Sequence, residues 1–239
     1  DFQTLDRTEI MASDCLKLPS LTPAERNTWI QAVSRDWQAL SKAPPGVRAD
    51  PRLGLAAVRQ DWRAFQFTYQ NLREDKEFVL EVLKTSGFTL QFASEALRCD
   101  REVVLRAVQQ DGCAVRHAFY QSFREDFDIM KEAIANDWRS YEYASNKLKR
   151  NKDLALFAVE QSWEALQFVD EELHDNLDVM TAAVSQKGEA LRYASDRLRV
   201  NPILVSKAAN DGWEVVTEGN DVALQLRTQG ITWAPRPVR

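Results

Sequence analysis

The chain has 239 residues, of which 44% are hydrophobic and 28% charged, the balance of a folded globular protein and not of a disordered one. A formal charge of −5 argues against a phosphate-binding protein, which needs a basic stripe to release counterions. With 8 Gly and 8 Pro the chain is too poor in breakers for a loop-rich or all-β fold, and no apolar run approaches the roughly 18 residues of a membrane span.

The sequence starts at Asp1 and not at Met, so either a leader has been removed or the sequence is a fragment; no secretory signal pattern is legible. Residues 1–21 are weakly patterned and read as an N-terminal arm. The first clear start signal is Thr22-Pro23-Ala24-Glu25, a capping box with proline at the first helical position.

From there the chain repeats. The segment Asp100–Gly112 recurs as Asp50–Trp62, Asp75–Gly87, Asp126–Trp138, Asn151–Trp163, Asn176–Gly188 and Asn201–Trp213, and a partial copy ends at Trp37. The opening Asx residues stand at 50, 75, 100, 126, 151, 176 and 201, a step of 25 broken by a single 26. Each is placed to cap a helix, its short side chain accepting a free backbone N–H two or three residues on.

After each cap comes an apolar stripe at i, i+1, i+4 and i+5, as in Val103, Val104, Ala107 and Val108, which fits one face of a helix of about three turns. Gly87, Gly112 and Gly188 fall where a left-handed C′ residue would end that helix, and Trp62, Trp138 and Trp163 replace them elsewhere. A second helix is expected next, as in Phe88–Leu97, burying Thr89, Leu90, Phe92, Ala93 and Leu97; Ser140, Tyr141, Tyr143, Ala144 and Leu148 match it, as do Ala190, Leu191, Tyr193, Ala194 and Leu198.

The expected fold is all-α: an α-solenoid of about eight 25-residue helix-turn-helix repeats with degenerate terminal caps. Its units lie near 22–49, 50–74, 75–99, 100–125, 126–150, 151–175, 176–200 and 201–218, in one repeat domain over 22–218. Eight layers at about 8–10 Å would extend roughly 70–80 Å. The caps should be irregular. Ala43-Pro44-Pro45-Gly46 reads as non-helical, Glu214–Asn220 as a degraded second helix, and Asp221–Arg227 as a short helix before an extended tail ending at 239.

The strings Phe-Ala-Ser-Glu-Ala-Leu-Arg from Phe92 and Ala-Val-Gln-Gln-Asp-Gly from Ala107 resemble the repeat known as domain of unknown function 4116. The resemblance covers residues 50–200 well and 22–49 and 201–218 loosely. It implies tandem helical repeats and no particular activity. Because such repeats are common in unicellular algae, it also implies an organellar setting, chloroplast ahead of mitochondrion, and a photosynthetic complex ahead of a respiratory or ribosomal one.

No motif for chemistry stands out. GxGxxG, P-loop, GxSxG and HExxH patterns are absent, so no enzyme, cofactor or metal is expected. His117 takes the place of Phe92, Tyr143, Phe168 and Tyr193 and reads as a core aromatic substitute, since Cys113 four residues earlier is its one candidate co-ligand and two ligands make no zinc site. His174 and the cluster Asp170, Glu171 and Glu172 read as solvated. Cys15, Cys99 and Cys113 have no CxxC spacing and read as reduced thiols.

The one non-structural hint is a set of tryptophans. Trp37, Trp62, Trp138, Trp163 and Trp213 share a turn position and should line one edge. They could form an exposed partner-binding ladder, but closing the seam between hairpins is the simpler role. The functional expectation is a non-catalytic structural or adaptor subunit that binds other protein subunits of a larger complex and no nucleic acid, with peripheral contact to a membrane complex open. A free-standing binding module, such as an effector or regulator, is the alternative.

Overall fold

A computed structural model describes the backbone of residues 21–218, 221–226 and 232–233, with side chains over 21–213. Every element from Pro23 to Asn210 is helical. The principal helices are α1 (Pro23–Arg35), α2 (Pro51–Val58), α3 (Lys76–Leu83), α4 (Arg101–Gln110), α5 (Phe127–Asn136), α6 (Lys152–Gln161), α7 (Leu177–Gln186) and α8 (Pro202–Asn210).

Each starts where the sequence places a cap. Thr22 and Glu25 form the capping box of α1. Asp50, Asp75, Asp100, Asp126, Asn151, Asn176 and Asn201 all accept backbone N–H groups of the first turn of α2 to α8. The apolar stripes are buried as the spacing requires: Val103, Val104, Ala107 and Val108 in α4, and Ile129, Met130, Ala133 and Ile134 in α5. Burying each Val, Ile or Met contributes about 1.5–3 kcal/mol, which is what holds helices this short in place.

The expected second helix is two pieces. A 3₁₀ segment comes first, such as Gly87–Phe92, Trp138–Tyr143 or Gly188–Tyr193. A single α-helical turn follows, such as Glu95–Arg98, Asn146–Lys149 or Asp196–Arg199. Between them two residues are extended, as at Ala93 (ψ 158°) and Ser94 (ψ 157°), and Ser94 then caps the short turn by accepting the Leu97 N–H. A helix-competent serine is used as a cap because its hydroxyl competes with the ladder for backbone partners. The small–apolar pair of several 3₁₀ segments is buried, as in Ala64–Phe65, Thr89–Leu90 and Ala165–Leu166, whereas the aromatic two residues on is only half-buried.

The left-handed glycine expectation is also corrected. Among the described residues only Gly212 has a positive φ, 86°. After α1 to α7 the chain turns instead through an extended residue, Asp36, Asp61, Ser86, Asp111, Asp137, Ser162 or Lys187; Asp111 (φ −140°) caps the end of α4 through its N–H to the Ala107 carbonyl. Gly87 and Gly188 are small for a different reason. A Cβ on Gly87 would collide with the carbonyl oxygen of Ala107, and one on Gly188 would lie 2.9 Å from Trp213 Cδ1 and 3.0 Å from the Ala208 oxygen.

Both ends differ from expectation. Pro45–Arg48 forms a helical turn, because Pro45 occupies its first position, where a missing N–H costs nothing. At the other end Glu214–Asn220 and Asp221–Arg227 contain strands. β1 (Trp213–Glu218) pairs antiparallel with β2 (Asp221–Leu226), which pairs with β3 (Thr232–Trp233). The Val-Val-Thr run suits a pleated strand better than a helix.

The chain divides into two compact units, Asp1–Tyr120 and Gln121–Arg239, at the place where the repeat step is 26. In the first, α1, α2, α3 and α4 pack in succession; in the second, α5, α6, α7 and α8 do, and β1 packs on α8. A backbone hydrogen bond recurs between successive repeats. In the first unit Tyr69, Ser94 and Phe119 donate to the carbonyls of Arg48, Arg73 and Arg98 (2.8, 2.9 and 3.1 Å). In the second, Ser145, Asp170 and Ser195 donate to Arg124, Lys149 and His174 (3.0, 3.2 and 3.1 Å).

Candidate functional site

Trp37, Trp62, Trp138 and Trp163 each open a 3₁₀ segment, and Trp213 opens β1. The first four are half-buried and Trp213 is buried. In the first unit Trp37 stacks on Phe67 at 6.0 Å, and Trp62 lies 5.9 Å from Phe92 and 6.0 Å from Phe88. In the second unit Trp138 lies 6.3 Å from Phe168, and Trp213 covers Gly188. Trp37, Trp62 and Trp138 thus meet aromatics of the following repeat, about thirty residues on, whereas Trp213 meets Gly188 of the preceding one.

Arginines cover part of what is left. Arg63 lies over Trp37 at 5.7 Å, Arg139 over Trp138 at 5.0 Å, and Arg192 over Trp163 at 5.9 Å. A guanidinium on an indole face is attracted by the ring quadrupole and leaves less of the ring for a partner. Where glycine replaces the indole at Gly87, its neighbour Phe88 takes over the contact, meeting His117 edge-on at 6.1 Å.

His117 is half-buried in that column and not in the core, with Arg116 Nε 3.0 Å from its Nε2. His174 is not simply solvated. It is half-buried, 3.2 Å from the Leu166 carbonyl and edge-on to Tyr193 at 6.0 Å. Asp170 accepts from Arg150 at 3.0 Å and caps the 3₁₀ segment Glu171–Asp175; Glu171 and Glu172 are exposed. Cys99 and Cys113 are not disulfide-bonded, and Cys15 lies outside the described residues, as does the arm over 1–20.

Three carboxylates held below their ordinary pKa range, Asp100, Asp170 and Asp175, pair with cations of neighbouring repeats. Lys76 reaches Asp100 (2.9 Å) and Glu102 (2.8 Å) of the next repeat, and this lowers the Asp100 pKa. Arg150 lowers Asp170 and Arg197 lowers Asp175 in the same way. Burial pushes the Tyr141 phenol up; its hydroxyl donates to the Lys149 carbonyl at 3.3 Å.

Two open clefts are present. One of about 230 Å³ lies between α3 and α4, lined by Leu80, Lys84, Glu102 and Arg106. Another of about 510 Å³ in the second unit is lined by Arg124, Tyr143, Ser145 and Lys147. Among the described residues no three His, Cys, Asp or Glu side chains converge as a metal site would need, and no helix is long and apolar enough to cross a membrane.

A feature missed in the sequence is the basic residue two places before each Asx: Arg48, Arg73, Arg98, Arg124, Lys149 and Arg199, with His174 in the series. Its 25-residue spacing was visible, but only the structure shows that the carbonyls of Arg48, Arg73, Arg98, Arg124, Lys149 and His174 are the acceptors that tie one repeat to the next.

Residues 75–124 and 151–199 match the family described as Domain of unknown function (DUF4116), two matches consistent with a tandem repeat. Neither a search of curated proteins nor one of solved structures finds a match to the chain.

Proposed function

We propose that the protein is a non-catalytic adaptor that presents its helical repeats to other proteins, with the repeats of each unit stacked as layers of an α-solenoid. The observation that supports this most is the recurring backbone hydrogen bond from Tyr69, Ser94 and Phe119, and from Ser145, Asp170 and Ser195, to the preceding repeat. It fixes equivalent residues of successive repeats at a constant register, which displays a side chain once per layer over an extended surface. The half-buried tryptophans serve that scaffold as seam closures first, and any partner contact uses the ring area the arginines leave open.

An organellar complex, photosynthetic ahead of respiratory or ribosomal, is the setting the family resemblance suggests. Native co-purification from the source cells in mild detergent, followed by mass spectrometry, tests both parts. Stoichiometric recovery with a defined complex supports the adaptor, and recovery with one free partner supports the effector or regulator. Recovery of the 27.4 kDa chain alone overturns the proposal.

A further inference from the structure

The first unit carries one arginine per repeat in a register that no internal carboxylate uses. Arg48, Arg73 and Arg98 are equivalent residues whose carbonyls accept the repeat-to-repeat hydrogen bond. All three side chains are half-buried, and none forms an ion pair with a described residue. Arg48 is pinned by its Nε, which donates to the Phe67 carbonyl at 2.6 Å. The Nε atoms of Arg73 and Arg98 are enclosed and unpartnered, while their terminal nitrogens are not enclosed. It is therefore at the terminal nitrogens that each of these side chains can take an acceptor from outside the chain, which would order its guanidinium.

The column ends on an exposed apolar anchor. Phe119 occupies the place of Tyr69 and Ser94 in the hydrogen-bond series, is 45% exposed, and meets the equally open Tyr120 edge-on at 5.5 Å. Arg98 lies over the Phe119 ring at 5.5 Å. Exposed aromatics beside an arginine are the composition of a binding hot spot.

We infer that Arg48, Arg73 and Arg98, ending at Phe119 and Tyr120, bind an extended acidic segment of a partner protein. This rests on the adaptor reading and names the partner chemistry for it. Adjacent helical layers stand about 8–10 Å apart, and a chain in the polyproline II conformation advances about 3.1 Å per residue with three residues per turn, so every third side chain faces the same way. A carboxylate at every third residue therefore matches one arginine per layer, with an apolar residue beyond the last to meet the aromatics. Guanidinium forks suit carboxylates because they donate two parallel hydrogen bonds. The second unit lacks such a column: its series runs Arg124, Lys149, His174 and Arg199, and Arg199 is already paired with Asp196 at 2.8 Å.

The test is fluorescence anisotropy of the full chain with a labelled ten-residue peptide carrying glutamate at every third position and a terminal phenylalanine. A peptide of the same composition with its glutamates contiguous is the comparison. The spaced peptide is expected to bind at least tenfold tighter. The double variant Arg73→Gln, Arg98→Gln should lose at least tenfold, and the charge-matched Arg52→Gln, Arg106→Gln should lose less than twofold. Phe119→Ser, which installs the residue present at Ser94, should keep the melting temperature and weaken binding severalfold. Equal binding of the two peptides, equal loss in both double variants, or preferential binding of single-stranded oligothymidylate overturns the inference. If the peptides fail while native co-purification returns a partner complex, the adaptor reading stands and this surface does not; if both fail, the adaptor reading falls as well.

Discussion

Gly87 and Asp100 show how single residues are chosen here by what the neighbouring repeat places beside them. Gly87 needs no special φ; it is small because α4 approaches at Ala107 and its own N–H is accepted by Asp111. Gly87→Ala should therefore cost about 1–3 kcal/mol through forced displacement, whereas Gly212→Ala should cost about 1–2 kcal/mol through its left-handed backbone. Urea denaturation of the two variants measures both, and a neutral Gly87→Ala would remove the close-approach explanation. The carboxylates give a pH dependence. Asp100, Asp170 and Asp175 have folded pKa values below the ordinary carboxylate range because Lys76, Arg150 and Arg197 donate to them. A lowered folded pKa means the unfolded chain takes up protons first, at about pH 3.9. Their contribution is thus full above about pH 4 and is lost as pH falls through the lower folded values. Melting temperature followed from pH 6 to pH 2 should fall in that acid range, and the fall should shrink in Lys76→Met. An unchanged acid limb in that variant would show that the pair contributes nothing.

At the scale of the element, the principal helices were legible and their companions were not. The Asx caps and the i, i+1, i+4, i+5 stripe set α2 to α8, since both signals are local. The segment after each of them carries a helical pattern too, but Asp36, Asp61, Ser86, Asp137 and Ser162 act as second caps that start a 3₁₀ turn instead. Those residues were in view, yet a polar residue at a helix end reads as solvated until its acceptor role is seen. The tryptophan position belongs to this scale as well. Trp62→Ala removes stacking on both Phe88 and Phe92 and should destabilise the fold by about 2–3 kcal/mol, less than a full core truncation because the ring is half-buried. A guanidinium melt unchanged by that substitution would instead favour the exposed binding ladder.

For the whole molecule, energy is shared between neighbouring repeats, so the ends matter. The last layer is closed by β1 to β3 and not by a further hairpin, with Trp213 seated against Gly188. Ending the chain after Asn210 should lower the melting temperature by several degrees, as loss of about 1–2 kcal/mol does in a domain of this size. No shift would mean that the strands close nothing. The two units also predict that unfolding departs from a single two-state transition. Differential scanning calorimetry should give a van't Hoff enthalpy below the calorimetric one, and equality of the two would show that they unfold as one.

By itself the sequence determined the position of every principal helix cap from 22 to 201 and the buried stripes, because each depends on residues within one or two helical turns of one another, and the repeat period and the match to the DUF4116 repeat, because these local signals recur along the chain. Tertiary structure decided the rest. Whether a turn residue is glycine depends on a helix some 20 residues further along the chain, as at Ala107 for Gly87. Whether a valine-rich end becomes helix or strand depends on a pairing partner, as Val215 and Val216 do on Leu224 and Ala223. The arginine column acquired meaning in the same way: a 25-residue spacing becomes a surface only when a hydrogen bond between repeats holds Arg48, Arg73 and Arg98 in one register.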